Sequence, residues 1–273
     1  MASEIAELKK LVESLRGEVT RLSGKFLCLM LILKGANGSQ IADENEVKKL
    51  HFKYGYYLDK CLYKEVVDLF ADHPDTFVEF LGGRYKGKQG VERLYRGRFA
   101  ARFVNNRNGP VHGFLLDHAQ MQDVIDISAD GTRACGRFRA LMSAGVHKSV
   151  KDTHPRGFVQ WWEGGLYENE YIKEDGVWKV FKLKYFPFWH SDFEKGWSNK
   201  EIGEFVPFDT VTFPENATGP DQIVEQLMLW PDTRVVPFHY PHPVTGKQVD
   251  EDDLRAPGYG EDVKTSKPAL TLS

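Results

Sequence analysis

Histidines and carboxylates are the acid–base groups that this sequence could use for chemistry. A neutral imidazole can remove a proton from an activated carbon near pH 7, because its unperturbed pKa is about 6.5. A carboxylate hydrogen-bonded to the other ring nitrogen sets the tautomer and stabilises the imidazolium that forms. The chain has nine histidines and 39 aspartates and glutamates among its 273 residues. Which of these groups meet depends on the elements that carry them.

Other chemistries have little support in the sequence. The three cysteines, Cys28, Cys61 and Cys135, are far apart and lack C-x-x-C spacing, which argues against a structural zinc site or a disulfide framework. His239 and His242 have H-x-x-H spacing, but prolines surround them and no third ligand is near. Glycine-rich phosphate loops, G-x-S-x-G elbows and nucleotide fingerprints are absent. We therefore expect neither a metal nor a cofactor.

The composition is typical of a globular protein with an apolar pocket. Aromatic residues make up 13% of the chain, and large rings often line pockets for apolar ligands. The net charge of -3 gives no indication of a nucleic-acid or acidic-membrane partner. The longest apolar run, residues 26–33, is too short to span a bilayer, and no cleavage pattern follows it. These features predict a cytoplasmic protein.

The order of the predicted elements is helices first and long strands afterwards. Asp130-Gly131 and Glu174-Asp175-Gly176 have the composition of hairpin turns between strands. This order predicts an α+β fold in which helices pack on one face of a curved antiparallel sheet. The helical patterns are residues 41–58, 64–71 and 88–103, and the strand patterns are residues 75–81, 114–127, 133–144, 158–172 and 177–189.

Two further segments flank this core. Apolar residues repeat every seven positions from Ile5 to Leu29, so residues 1–34 are predicted to form a heptad helix. It either pairs between subunits, giving a homo-oligomer such as a dimer or trimer, or packs on the protein's own domain. Residues 191–273 are rich in proline and aromatic residues and are predicted to wrap over the core or across a subunit interface. Within them, only residues 222–229 have a helical pattern.

Three stretches resemble the SnoaL-like, nuclear-transport-factor-2-like superfamily. They are the hairpin from Gly164 to Lys179, the first two helices around Tyr54-Gly-Tyr-Tyr-Leu-Asp59 and Val67-Asp-Leu-Phe-Ala-Asp72, and the strand start at Asp117-His118. The hairpin is especially similar to that of the hexachlorocyclohexane dehydrochlorinases, and scytalone dehydratases and diarylpropane formaldehyde-lyases are also similar. The resemblance implies a cone-shaped sheet packed with three helices over residues 41–190.

The same resemblance implies which residues would form the site. Asp59 and His118 would be a catalytic pair, although Asp59 would also suit a cap of the next helix and His118 a structural strand residue. Lys173 stands where the family has an arginine, which leaves the role of Lys173 open. The substrate-binding residues would be Tyr54, Tyr167, Asn169, Tyr171, Lys173, Trp161 and Trp189, within an aromatic lining of Phe114, Phe138, Trp161, Phe186 and Trp189.

A reaction without a cofactor follows from these groups. The leading hypothesis is a lyase in which His118 removes a proton from a small hydrophobic, aromatic or phenolic substrate, and water, halide or formaldehyde departs. Tyr54, Tyr171 and Lys173 would hold the leaving group or the phenol. An isomerase or cyclase that uses the same pair, or a non-catalytic module that binds a small molecule, is the alternative. Because the fold hosts many reactions, the resemblance alone does not choose among them.

Overall fold

The computed structural model describes residues 38–157, 159–199, 210–224, 230–231 and 233–254. Contacts divide the chain into a unit of residues 1–45 and a larger unit of residues 46–273. The larger unit contains every element of the site. The predicted heptad helix of residues 1–34, and with it the predicted oligomer, lies outside the described residues.

Three helices precede the long strands, as predicted. Helix α1 is described from residue 38 to residue 59, α2 is Tyr63–Asp68, and α3 covers residues 87–104. Helix α3 has α-helical ends, Gly87–Glu92 and Ala100–Val104, and a π-helical middle, Arg93–Phe99. It ends where Asn105 adopts a left-handed conformation. None of the helices in the described part of the chain is long and apolar enough to cross a membrane.

Seven strands form one sheet in the order β3-β4-β5-β6-β1-β2-β7. The prediction of an antiparallel sheet is wrong at one place, because β1 runs parallel to β6. The chain between these two strands includes α3 and three long strands, so no hairpin forces them to be antiparallel. The strands are β1 Phe77–Phe80, β2 Gly83–Lys86, β3 Phe114–Ile127, β4 Arg133–Val146, β5 Gln160–Glu174, β6 Val177–Asp192 and β7 Gln222–Ile223.

Both predicted hairpin turns are present. Asp175 and Gly176 have φ values of 51° and 78°, as a two-residue type I′ turn between β5 and β6 requires. Between β3 and β4, the carboxylate of Asp130 accepts hydrogen bonds from the Ser128 hydroxyl at 2.6 Å and from the Thr132 N–H at 3.1 Å. Register shifts within β3–β4 and β5–β6 mark bulges, and bulges bend a sheet.

The core lies between the helices and the concave side of the sheet. Val47, Leu50, Tyr54 and Leu58 of α1 are buried, and their spacing of three or four residues places them on one face of the helix. From the sheet, alternate residues of β5 are buried opposite them, beginning with Trp161. The helix face and the strand face therefore define which side chains can reach an internal cavity.

The described C-terminal residues contact β2 and the strands β3, β4 and β5. Strand β7 pairs with β2, so the helical prediction for residues 222–229 is wrong at 222–223, and residues 225–229 lie outside the described residues. The guanidinium of Arg137 donates to the carbonyl of Val236 at 2.9 Å. The ring of His239 contacts the carboxylates of Glu168 and Asp126, the latter at 3.0 Å. These contacts connect the proline-rich segment to the sheet.

Candidate functional site

A cavity of about 130 Å³ lies between α1, α3 and the concave side of the sheet. Apolar and aromatic side chains form most of its lining, including Leu58, Phe99, Leu116, Met142 and Trp161. An apolar cavity of about this size can hold a benzene-sized ring. The cavity is therefore suited to one aromatic ring or a compound of similar volume.

Asp59 and His118 meet at this cavity. Asp59 is the last residue of α1, and its Oδ1 accepts a hydrogen bond from the backbone N–H of His118 at 2.9 Å. The same oxygen lies 3.6 Å from His118 Nδ1, which is buried and has no hydrogen-bond partner in the described structure. This distance is too long for a hydrogen bond but short enough for an ion pair when His118 is protonated. The His118 ring lines the cavity, and Asp59 lies behind it.

The alternative role for Asp59, as a cap of the next helix, does not match the geometry. The N-cap residue of α2 is Leu62, and the side chain that hydrogen-bonds to the start of that helix is Asn108, whose Oδ1 accepts from the Lys64 N–H at 2.8 Å. Asp59 instead connects the end of α1 to β3 through the His118 backbone. Any structural contribution of Asp59 therefore comes from this single helix-to-strand hydrogen bond.

Three of the predicted substrate-binding residues, Tyr54, Tyr167 and Trp161, line the cavity. The hydroxyls of Tyr54 and Tyr95 are 2.9 Å apart, and Tyr95 also lines the cavity. Burial raises the pKa of Tyr54 to about 12, and it raises the pKa of Tyr95 and Tyr167 well above the usual value. At neutral pH these phenols are protonated, so they can donate hydrogen bonds but cannot act as bases.

Asn169 and Tyr171 do not line the cavity, which corrects their predicted role. They share the buried face of β5 with Tyr167, as the alternation predicts. However, Tyr171 is four residues further along, or about 13 Å in an extended strand. Away from the cavity, Asn169 Nδ2 and Tyr171 Oη lie 3.3 Å and 3.2 Å from His51 Nδ1.

His51 organises a polar network below the cavity that the sequence did not reveal. Its Nε2 lies 2.9 Å from Gln120 Oε1, and its ring stacks on Phe138 with centroids 3.7 Å apart. The side chain is 1% exposed, and burial lowers its pKa to about 3. His51 is therefore neutral at physiological pH and holds α1 against β5.

Lys173 and Trp189 also lie away from the cavity. The ammonium of Lys173 is over the ring of Trp178, with the Nζ atom 5.5 Å from its centroid, near the far end of β5. The Trp189 ring packs near Trp197, and Trp189 pairs with Gly164, which lies on the face of β5 opposite to Trp161 and Tyr167. Of the predicted aromatic lining, Trp161 lines the cavity, whereas Phe114, Phe138, Phe186 and Trp189 do not.

Glu163 and three arginines line the cavity but were not predicted as site residues. Glu163 is 6% exposed and accepts a hydrogen bond from the Tyr185 hydroxyl at 2.6 Å. Strand alternation could have indicated Glu163, because it is two residues from Trp161 and four from Tyr167. The arginines are Arg98 and Arg102, one turn apart on α3, and Arg156, in the loop before β5.

No cluster of three or more histidine, cysteine or acidic side chains suited to a metal ion occurs among the residues that the structure describes. The two tail histidines have separate partners. His239 contacts Glu168 and Asp126, whereas His242 Nδ1 accepts hydrogen bonds from the backbone N–H groups of Val244 and Thr245. Their H-x-x-H spacing is therefore accounted for by local structure.

In a comparison with known protein families, residues 39–184 match the SnoaL-like domain family. A type 2 hexachlorocyclohexane dehydrochlorinase is 18% identical over 57% of this chain and 92% of its own, with a TM-score of 0.45. The type 3 enzyme of Novosphingobium barchaimii is 18% identical over 58% and 94%, with a TM-score of 0.46. A protein of Novosphingobium aromaticivorans assigned as a scytalone dehydratase is 19% identical over 62% and 99%, with a TM-score of 0.44. No curated protein sequence matches the chain.

Proposed function

This chain belongs to the SnoaL-like domain family, and we propose that it is a cofactor-independent lyase acting on a small aromatic compound. The observation that carries the proposal is the placement of Asp59 behind His118, with the His118 ring on the wall of an apolar cavity. A base at the wall of such a cavity can reach a C–H bond of an enclosed substrate while bulk water is kept away.

His118 would take the proton, and the electron pair of the broken C–H bond would form the new double bond. Halide would depart with the electrons of its own bond, whereas a hydroxyl group would leave with those electrons and take back a proton from the His118 imidazolium to give water. Asp59 would stabilise the imidazolium that His118 becomes, because its carboxylate is already 3.6 Å from Nδ1. Departure of formaldehyde would require the proton to come from a hydroxyl group instead.

The leaving group would be held by tyrosine hydroxyls. Tyr54, Tyr95 and Tyr167 line the cavity and are protonated at neutral pH. The hydroxyls of Tyr54 and Tyr95 hydrogen-bond to each other, so one proton of this pair is used within it and the other can be donated to a departing oxygen or halide. This assignment replaces the one made from the sequence, since Tyr171 and Lys173 lie elsewhere. Tyr54 keeps its predicted role.

The test is a screen of phenolic and other single-ring aromatic compounds with intact-mass analysis of the products. A lyase splits its substrate into two products whose masses sum to that of the substrate. The smaller product would be water, a hydrogen halide or formaldehyde. His118→Ala should lower turnover about 10²–10⁴-fold, which is the usual cost of removing a general base. A product of unchanged mass would instead indicate an isomerase or cyclase, and binding without turnover would indicate a binding module.

A matched control is available in the loop that follows β4. His147 is exposed, on the loop that follows β4, and is not part of the cavity lining. His147→Ala should therefore keep wild-type turnover. Equal loss of turnover in the two variants would show that the effect of His118→Ala does not come from its position at the cavity.

A further inference from the structure

A row of three guanidinium groups runs along one side of the cavity. Arg98 is 4% exposed, whereas Arg102, one helical turn further along α3, is exposed. Since both line the same cavity, the row extends from the protein interior to the surface. Arg156 joins this row from the loop before β5.

These arginines form an excess of positive charge. Glu163 is the single carboxylate residue among the described residues of the lining, against three guanidinium groups. Burial is the main reason that the pKa values of Arg102 and Arg156 are lowered, and the next is a neighbouring arginine: Arg98 for Arg102, and Arg102 for Arg156. Like charges held together in a partly apolar site destabilise the empty protein.

Arg156 also has an unsatisfied donor. Its Nε is buried and has no hydrogen-bond partner in the described structure. The guanidinium packs on aromatic rings, with its Cζ 4.7 Å from the Trp161 centroid and 5.4 Å from the Phe103 centroid. This packing fixes the plane of the guanidinium and leaves its N–H edge for a ligand, because a guanidinium binds carboxylates through its edge.

From the row of arginines and the orphan donor of Arg156 we infer that the cavity binds an aromatic carboxylate, with its ring inside and its carboxylate group at Arg102 and Arg156. The inference deepens the proposed function, on which it rests for the reaction, because it names the charge of the substrate. Because a guanidinium edge binds phosphate as well as carboxylate, the test compares both anions.

Equilibrium binding without turnover tests this inference. Benzoate, its neutral analogue benzamide and phenyl phosphate are titrated into the full chain by calorimetry at pH 7. Wild type should bind benzoate on the order of tenfold more tightly than benzamide, and added salt should reduce the difference. Arg156→Gln and Arg102→Gln should each reduce this preference while affinity for benzamide stays nearly constant.

Two variants control for charge and for folding. Arg96→Gln removes a guanidinium from the same helix, but Arg96 pairs with Glu92 and does not line the cavity, so it should keep the wild-type preference. Arg156→Lys keeps the positive charge but lacks the two parallel N–H groups of a guanidinium edge, so it should retain part of the preference for benzoate. If Arg156→Gln does not fold, as melting would show, Arg102→Gln and wild type still decide the question.

Several outcomes would overturn the inference: equal affinity of wild type for benzoate and benzamide, no binding of either, tighter binding of phenyl phosphate than benzoate, or a preference that survives both arginine substitutions. These outcomes are separate from failure of the proposed function. Benzoate preference without any elimination activity would refute the reaction and leave the carboxylate site. Elimination restricted to neutral compounds, without a preference for benzoate, would refute the carboxylate site and leave the proposed reaction.

Discussion

The buried imidazole of His51 should make the stability of the protein depend on pH. In the folded chain burial lowers the pKa of His51 to about 3, whereas an unfolded histidine has a pKa of about 6.5. Below pH 6.5 the unfolded chain therefore binds a proton that the folded chain does not bind. The stability that comes from keeping His51 neutral is fully present above pH 6.5 and is lost as the pH falls from about 6.5 towards 3.

The size of the effect follows from this difference. At pH 5, protonation of the unfolded chain costs the folded state about 2 kcal/mol, which corresponds to roughly 4–8 °C in the melting temperature of a domain of this size. His51→Gln should remove this loss, because the amide is neutral throughout. Its packing cost, whatever its size, is present at both pH values and cancels when each variant is compared with itself.

Melting curves followed by circular dichroism at pH 7 and pH 5 measure the effect. Carboxylates also titrate, so the informative quantity is the change for wild type minus the change for His51→Gln. His112 is exposed, and His112→Gln should show the wild-type change. An identical change for wild type and His51→Gln would refute the reasoning, because His51 would then not be held neutral by burial.

Two further predictions concern packing and assembly. A methyl group added at Gly165 would collide with the Tyr185 ring, so Gly165→Ala should lower the free energy of unfolding by roughly 1–3 kcal/mol in a denaturant titration. Gly97→Ala is the control: its added methyl group comes only within 3.4 Å of Thr218, so the free energy of unfolding should stay close to that of wild type. An equal decrease in both variants would contradict this account. Deletion of residues 1–34 should lower the oligomer order in light scattering or the melting temperature. Unchanged mass and stability would show that the heptad is dispensable.

Local sequence patterns predicted β1 and the four long strands well, but not β2 or β7. The predicted strand over residues 114–127 matches β3, and the Asp130-Gly131 and Asp175-Gly176 turns fixed the meander of β3 to β6. These features depend on alternation and turn composition, which neighbouring residues determine. The parallel pairing of β1 with β6 depends instead on residues about 100 positions apart, and no local pattern records it.

Alternation predicted the face of each side chain but not its depth in the cone. Tyr167, Asn169 and Tyr171 share a buried face, as expected, yet only Tyr167 reaches the cavity. Depth depends on how far α1 closes the narrow end of the sheet, which is a tertiary property. Arg156 was missed for a similar reason, since a loop residue has no periodic pattern that would direct it towards the cavity.

The central claim is that the Asp59 carboxylate serves the His118 imidazole, and Asp59→Asn tests it most directly. The asparagine oxygen can still accept the backbone N–H of His118, so the helix-to-strand hydrogen bond is kept and the melting temperature should be close to that of wild type. Asp59→Ala loses this bond as well and should be about 1 kcal/mol less stable.

Turnover per folded molecule on a substrate from the screen is the measurement that decides the claim. Loss of the negative charge should reduce turnover on the order of 10²-fold or more in both Asp59 variants, although only Asp59→Ala is destabilised. Near wild-type turnover of Asp59→Asn, with loss confined to Asp59→Ala, would show that Asp59 acts only through the backbone hydrogen bond and would contradict the catalytic pair.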